Sequence, residues 1–153
     1  MWSRQTCVLF DVPLNARDAA ELRRRGRFGM LFARIASFFG WPKRLRDPEY
    51  LSALAAERPG DADVRAALAL AYWKNGRLTE ALDALRAAID LLSGSAATGD
   101  EGRDRLDKLA SLHLVLGAWL RAAGRNYEAN AALQTAIQLS PDSRTAAGAR
   151  RLL

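Results

Sequence analysis

The side chains that could take part in chemistry are few and far apart in the sequence. His113 is the only histidine and Cys7 the only cysteine among 153 residues, which rules out a disulfide within the chain and a zinc site built on several cysteines. No cysteine or carboxylate lies beside His113 at the spacing of a metal ligand, and leucines surround it on a predicted helix. We therefore expect His113 to pack or to form a hydrogen bond inside the fold, and not to serve as a base or ligand.

Asp61 and Asp63 are two carboxylates separated by one residue, where a helix is predicted to begin. Negative charge is favourable at a helix N-terminus, so we interpret the pair as part of a helix start and not as a general acid and base. Glycine-rich phosphate loops, nucleophile elbows and paired zinc motifs are absent from the sequence. The sequence predicts a protein that is not an enzyme and that needs neither a cofactor nor a metal.

The length and composition are those of one folded domain. With 153 residues, of which 50% are hydrophobic, the chain is long enough for its own core and too short to expect two domains. The net charge is +6, and the basic excess lies near the N-terminus. Residues 1–50 contain ten basic and five acidic side chains, whereas residues 51–153 contain thirteen and twelve. Any electrostatic role is therefore expected from the N-terminal part.

Two stretches of the chain repeat one another. LALAYWKNGRLTEALDALRAAIDLLS, residues 68–93, aligns without a gap with LGAWLRAAGRNYEANAALQTAIQLSP, residues 116–141, at an offset of 48. Each copy reads as two amphipathic helices joined at a glycine, which tolerates the positive φ that often ends a helix. Small residues recur where the two helices must approach closely, as at Gly117 and Ala129. The sequence predicts an all-α fold of paired helices.

The repeated residues resemble the tetratricopeptide repeat. The matching positions are Leu68, Ala69, Tyr72, Gly76, Ala81, Leu85 and Ala88 in one copy, and Leu116, Gly117, Leu120, Gly124, Ala129, Leu133, Ala136 and Pro141 in the other. The chain departs from the family because Arg65 and His113 replace a tryptophan, Ser93 replaces the closing proline, and the copies lie 48 residues apart where the family has about 34. The resemblance implies a solenoid of helical hairpins.

The resemblance also divides the chain into parts. We expect a basic N-terminal arm over residues 1–46, followed by a tetratricopeptide-like domain over residues 47–153. Because residues 93–104 are small, polar and rich in glycine, they are predicted to form a mobile loop. The remaining predicted parts of the domain are a half repeat (47–60), one repeat (62–93), a second repeat (105–141) and a C-terminal capping helix (142–153). Capping ends are expected because each repeat buries its face only against its neighbours.

The resemblance implies that the first helix of each pair lines a binding groove. The predicted partner-binding residues are Ala66, Leu70, Trp73, Lys74, Leu114, Ala118 and Arg121. This lining is apolar with a cationic edge, which would suit an amphipathic helix or an apolar peptide with an acidic end. Trp73 is the expected anchor, although packing against a neighbouring helix would explain it equally well. The sequence favours a non-catalytic adaptor or chaperone that holds a protein or peptide partner.

RRRGRFGMLFARIASFFGWPKR, residues 23–44, places an apolar run between two basic clusters. The run is too short to span a bilayer, which needs about 20 apolar residues, and it contains Arg34. A helix over residues 28–41 would place large apolar side chains on one face. The candidate membrane-binding or partner-binding residues of the arm are Arg24, Arg25, Phe28, Leu31, Phe32, Ile35, Phe38, Phe39 and Trp41.

Three interpretations of this helix stay open. It packs on its own repeats, it binds an anionic membrane surface and displays the repeats as a peripheral membrane protein, or it pairs with another chain such as a second copy. Nucleic acid is disfavoured as a partner because no recognised binding motif accompanies the arginines. Because nothing in the cysteine content indicates an oxidising compartment, we expect a cytoplasmic protein, peripheral at the membrane if the arm binds lipid.

Overall fold

The structure, a computed structural model, describes residues 46–95 and 98–153. Within these residues it contains six α-helices and no β-strand, so the prediction of an all-α fold is confirmed. The helices are α1 (Pro48–Glu57), α2 (Ala62–Lys74), α3 (Leu78–Gly94), α4 (Gly99–Ala122), α5 (Asn126–Leu139) and α6 (Arg144–Leu152). The predicted helix over residues 28–41 lies outside the described residues, and so do all the candidate residues of the arm from Arg24 to Trp41.

Short polar side chains begin three of the helices. The carboxylate of Asp61 accepts hydrogen bonds from the backbone N–H groups of Asp63 and Val64, at 3.0 and 3.1 Å, at the start of α2. Asp47 and Ser143 cap α1 and α6 in the same way. These bonds satisfy backbone donors that have no partner inside the helix. The interpretation of Asp61 and Asp63 as a helix start is confirmed.

The same turn joins α2 to α3 and α4 to α5. Gly76 and Gly124 hold φ angles of +74° and +77°, the left-handed region in which glycine avoids a steric penalty. In each turn the residue after the glycine donates its N–H to the carbonyl five residues earlier, at 2.9 Å. The glycine itself donates to the carbonyl three residues earlier, at 3.1 and 3.0 Å. Both turns are therefore Schellman motifs, and the sequence repeat is also a repeat of backbone geometry.

The chain divides into two compact units, with the boundary inside α3 between Ala84 and Leu85. In the described part of the first unit, α1 packs against α2 and buries Leu51 and Ala55, which lie four residues apart on one face. Helix α2 is buried on all sides along part of its length, since every residue from Ala66 to Ala71 is buried. A helix that is apolar all round is a central helix of its unit.

The second unit packs α4 against α5, with α6 lying on both. The two helices approach closely at Gly117, where an added Cβ would lie 2.6 Å from Cγ of Leu133 and 3.1 Å from the carbonyl oxygen of Ala129. Such distances are below van der Waals contact, so only glycine fits without a shift. The prediction that Gly117 and Ala129 mark a close approach of two helices is confirmed.

Helix α6 covers the C-terminal end of the second unit. Its Ala149 is fully buried in a cluster with Leu114, Leu133 and Ala136, and Leu152 packs at the edge of that cluster. Burial on one face of a nine-residue helix leaves its arginines on the other face. A short helix thus forms where the sequence predicts a C-terminal cap.

The predicted loop over residues 93–104 is wrong over residues 93–94, where α3 continues to Gly94, and over residues 99–104, because α4 begins at Gly99. The second repeat accordingly starts before its predicted boundary at residue 105. Asp100 and Glu101 occupy the first turn, where negative charge favours a helix. The Nη1 atom of Arg103 lies 3.9 Å from Oδ1 of Asp100, three residues earlier in the same helix. Local electrostatics, together with continuity into the packed part of α4, outweigh the polar, glycine-rich composition that predicted a loop.

Candidate interaction surfaces

The predicted groove residues on α2 differ in accessibility. Ala66 and Leu70 are 3% and 5% exposed, so they belong to the core of the first unit and offer almost no surface to a partner. Trp73 and Lys74, one turn further on, are half-buried. The prediction of a continuous lining along α2 is therefore corrected to the last turn of the helix, immediately before the Schellman turn.

The predicted groove residues on α4 belong to the second unit. Leu114 is 2% exposed because it lies in the cluster with Leu133 and Ala149 that α6 covers. Ala118 is half-buried. The guanidinium of Arg121 is exposed and donates a hydrogen bond to the backbone carbonyl of Leu152. The prediction is corrected for Leu114, which is a core residue, and Arg121 has an intramolecular partner at the end of α6.

An arginine follows the glycine of both turns and pairs with a glutamate three residues on. Arg77 Nε lies 3.0 Å from Glu80 Oε1, and Arg125 Nε lies 2.7 Å from Glu128 Oε1. The hydrogen bond to Glu80 raises the pKa of Arg77, and a backbone hydrogen bond together with Arg77 lowers the pKa of Glu80. The sequence prediction missed these pairs, although Gly-Arg-x-x-Glu occurs in both copies.

Each Arg and Glu pair makes a different further contact within its own unit. Arg77 lies over the Tyr72 ring, 4.6 Å from its centroid, and 3.5 Å from the Glu49 carboxylate of α1. Glu128 instead pairs with a second arginine, since its Oε2 atom lies 3.3 Å from Nη2 of Arg86. The charged side chains of these pairs are at least 40% exposed, and exposed ion pairs contribute little free energy of folding. Each Arg and Glu pair joins the residue after the turn glycine to the first turn of the helix that follows.

His113 is half-buried on α4. Its Nδ1 atom is buried and has no hydrogen-bond partner among the residues that the structure describes. Burial lowers the pKa of His113 from the ordinary value of 6.5, because the charged imidazolium is penalised away from water. The expectation that His113 packs inside the fold agrees with this environment, which favours the neutral ring.

Because the folded state disfavours protonation of His113, stability is expected to fall on acidification. The unfolded chain takes up a proton near pH 6.5 that the folded chain binds only at lower pH, so the loss occurs below about pH 6.5 and stops at the folded pKa. His113→Gln should show a smaller loss between about pH 7.5 and 5.5. Urea unfolding of both proteins across this range measures the difference, and carboxylates titrate alike in both. If the free energy of unfolding fell equally with pH in both proteins, the expectation would be contradicted.

Over the described residues no group of histidine, cysteine, aspartate and glutamate side chains is arranged to hold a metal ion. None of the helices in that part of the chain is both long and apolar enough to cross a membrane. The accessible features are thus the last turn of α2, the paired Arg and Glu side chains, and the outer faces of the helices.

The chain matches no model of a protein family, and no match is found among the curated proteins or the solved structures.

Proposed function

We propose that this protein is a non-catalytic adaptor or chaperone of the tetratricopeptide type, which holds an apolar or amphipathic peptide segment of a partner protein. The observation that carries the proposal is the repeated unit of helix, Schellman turn and helix, with equivalent glycines and equivalent hydrogen bonds at Gly76 and Gly124. Repeated helical hairpins bury their apolar faces against neighbours and expose long surfaces for recognition. Such scaffolds bind peptides through helix faces.

The anchor of the bound peptide is assigned to the last turn of α2. Trp73 and Lys74 lie next to one another there, half-buried, so each has some accessible surface while its packing fixes its position. Aromatic residues in partly buried, rigid positions contribute most to peptide affinity. Lys74 adds a positive charge that would attract an acidic group at one end of the peptide. Ala66, Leu70 and Leu114 are left out because they are core residues.

Binding of labelled amphipathic peptides tests this assignment. Peptides that share an apolar helical face but end in acidic or in basic residues would be titrated with the full-length protein by fluorescence anisotropy. The acidic peptide is expected to bind several-fold more tightly, and Lys74→Glu should reverse the preference, since each charge contributes up to about 1 kcal/mol near a surface. Equal binding of both peptides by the wild-type protein and Lys74→Glu would refute the role of this charge.

Trp73→Ala is expected to weaken peptide binding by about 10- to 30-fold, because truncation removes the aromatic anchor. Tyr50→Ala is the matched control, since Tyr50 is an aromatic residue of the same unit that is 39% exposed on α1. The affinity of Tyr50→Ala for the peptide should differ from that of the wild-type protein by less than about twofold. Circular dichroism and thermal unfolding establish that both variants are folded. A folded Trp73→Ala protein that retains wild-type affinity would exclude Trp73 as the anchor.

A further inference from the structure

The outer face of α5 carries a stripe of uncharged side chains. It consists of Tyr127, Asn130, Ala131, Gln134 and Gln138, which we call the α5 stripe. At 100° per residue these positions fall within about 100° of the helix circumference. All of them are exposed, and Tyr127 is 89% exposed, the largest value among the exposed large hydrophobic residues that the structure describes. Through three turns of helix the α5 stripe contains no ionisable group other than the Tyr127 phenol.

The first repeat provides an internal comparison for the α5 stripe. The matching positions on α3, 48 residues earlier, are Thr79, Leu82, Asp83, Arg86 and Asp90. Leu82 is buried, and three of the other four side chains are charged. Both helices follow a Schellman turn, and the compared positions have the same spacing in each helix. Where α3 carries three charged side chains, one of which pairs with Glu128, α5 carries alanine and glutamine, with an added tyrosine.

Loss of charge and gain of tyrosine are the changes that favour a contact surface. Burying an ionised side chain without a partner costs several kcal/mol, whereas an amide or alanine is buried at much lower cost. Interface cores are accordingly depleted in charged residues and enriched in tyrosine. Tyr127 combines an apolar ring with a hydroxyl group, which suits a contact surface that is partly apolar and partly hydrated.

We propose that the α5 stripe is a contact surface for a second copy of this chain, with the two α5 helices antiparallel about a two-fold axis. In a two-fold contact each surface meets itself, and the uncharged α5 stripe then brings no like charges together. Both copies carry a net charge of +6, so an uncharged surface is also where they approach most easily.

The spacing of the α5 stripe fits the antiparallel arrangement. Tyr127, Ala131, Gln134 and Gln138 are separated by four, three and four residues, which reads the same in both directions. Centring the contact between Ala131 and Gln134 places each Ala131 against Gln134 of the other copy. Tyr127 then packs against Gln138 at both ends. A small side chain opposite a longer one at the centre lets the helices approach closely.

The contact is small, so the dimer is expected to be weak. One helix against another buries less area than the roughly 1,200 Å² that stable complexes exceed. Because contacts below this area are typical of weak, transient complexes, we expect a dissociation constant on the order of 0.1 mM. Sedimentation equilibrium of the full-length protein from about 10 µM to 1 mM should therefore show a reversible monomer and dimer equilibrium.

Charge substitutions in the α5 stripe test the proposal. The double variants Ala131→Glu with Gln134→Glu, and Ala131→Lys with Gln134→Lys, should each raise the dissociation constant at least about tenfold, because like charges then face one another. An equimolar mixture of the two variants should restore association, since Glu then faces Lys. Only a contact between two α5 helices predicts this rescue.

Ala53→Glu with Ala56→Glu is the matched control on α1. Both alanines are exposed, and they share the three-residue spacing of Ala131 and Gln134 and the same change in net charge. This variant should dimerise like the wild-type protein. A protein that stays monomeric to about 1 mM would overturn the proposal. A dimer that the α5 substitutions leave unchanged would overturn it as well, because another surface must then mediate association.

Cross-linking tests the antiparallel arrangement in a Cys7→Ser background. Tyr127→Cys and Gln138→Cys proteins, when mixed, should form a disulfide between the two variants in preference to disulfides within either one. Disulfides require Cα atoms within about 7 Å, and only the antiparallel contact brings these two positions together. Predominant pairing of Tyr127→Cys with itself would overturn the antiparallel assignment.

Discussion

Replacing Ala149 by glutamate is expected to unfold the C-terminal end of the second unit, whereas replacing Ala147 by glutamate is not. Ala149 is fully buried against Leu114, Leu133 and Ala136, while Ala147 is exposed on the same helix. A glutamate at position 149 must either bury an unpaired carboxylate or displace α6 from the core. Either outcome should lower the free energy of unfolding by about 3 kcal/mol or more.

Thermal and urea unfolding of the two variants measure this difference directly. The pair is matched because both change alanine to glutamate within one short helix, with the same helix propensity and the same change in net charge. Ala147→Glu should stay within about 0.5 kcal/mol of the wild-type protein. If Ala149→Glu were equally stable, α6 would not be a structural cap, and the cluster around Leu133 would have to be covered in another way.

The turns of this fold could be predicted because their causes are local. Gly76 and Gly124 each follow a helix whose apolar periodicity stops, and a positive φ at that point strongly favours glycine. Capping by Asp61 depends on groups within three residues of one another. Since both features are decided by short-range geometry, a single sequence contains enough information to place them. The repeat reinforced the prediction, because two copies carry the same pattern.

The start of α4 could not be placed from composition. Residues 99–104 are polar and contain two glycines, which are features of a loop. They are helical because they continue a helix whose later turns pack against α5, and because acidic groups occupy the first turn. Packing between distant segments thus decides a boundary that neighbouring residues leave ambiguous.

For a related reason, the sequence could not show that three of the predicted groove residues, Ala66, Leu70 and Leu114, are buried in the core. Helices α2 and α4 contain stretches that are apolar all round, such as Ala66 to Ala71. Periodicity cannot then show which side faces a partner and which side faces the core. Leu114 illustrates the difficulty, because α6, which begins 30 residues further along the chain, helps to bury it. Trp73 and Lys74 remain candidates because they stand at a helix end, where the packing is incomplete.

Gly117→Leu is expected to be the most destabilising change in the contact between α4 and α5. Even a Cβ at this position would lie 2.6 Å from Cγ and 2.8 Å from Cδ2 of Leu133, so a full leucine must push α5 away or leave its own site. Overpacking of this size should cost about 3 kcal/mol or more, which exceeds the gain of about 1 kcal/mol from replacing glycine in a helix. Gly94→Leu is the control, since among the described residues no heavy atom outside the adjoining backbone of its own helix and its chain neighbours lies within 4 Å of a Cβ there.

A double-mutant cycle separates this clash from a general intolerance of substitution. Leu133→Ala alone should cost about 2–5 kcal/mol, because it leaves a cavity in the core. Combined with Gly117→Leu, it exchanges the large and the small residue across the same contact. The double variant should therefore lose less free energy of unfolding than the sum of the two single losses, by more than about 1 kcal/mol. The chain would then require only that one large and one small residue meet there. Additive losses would instead mean that the backbone approach of Gly117 to Ala129, and not the Leu133 side chain, excludes every other residue.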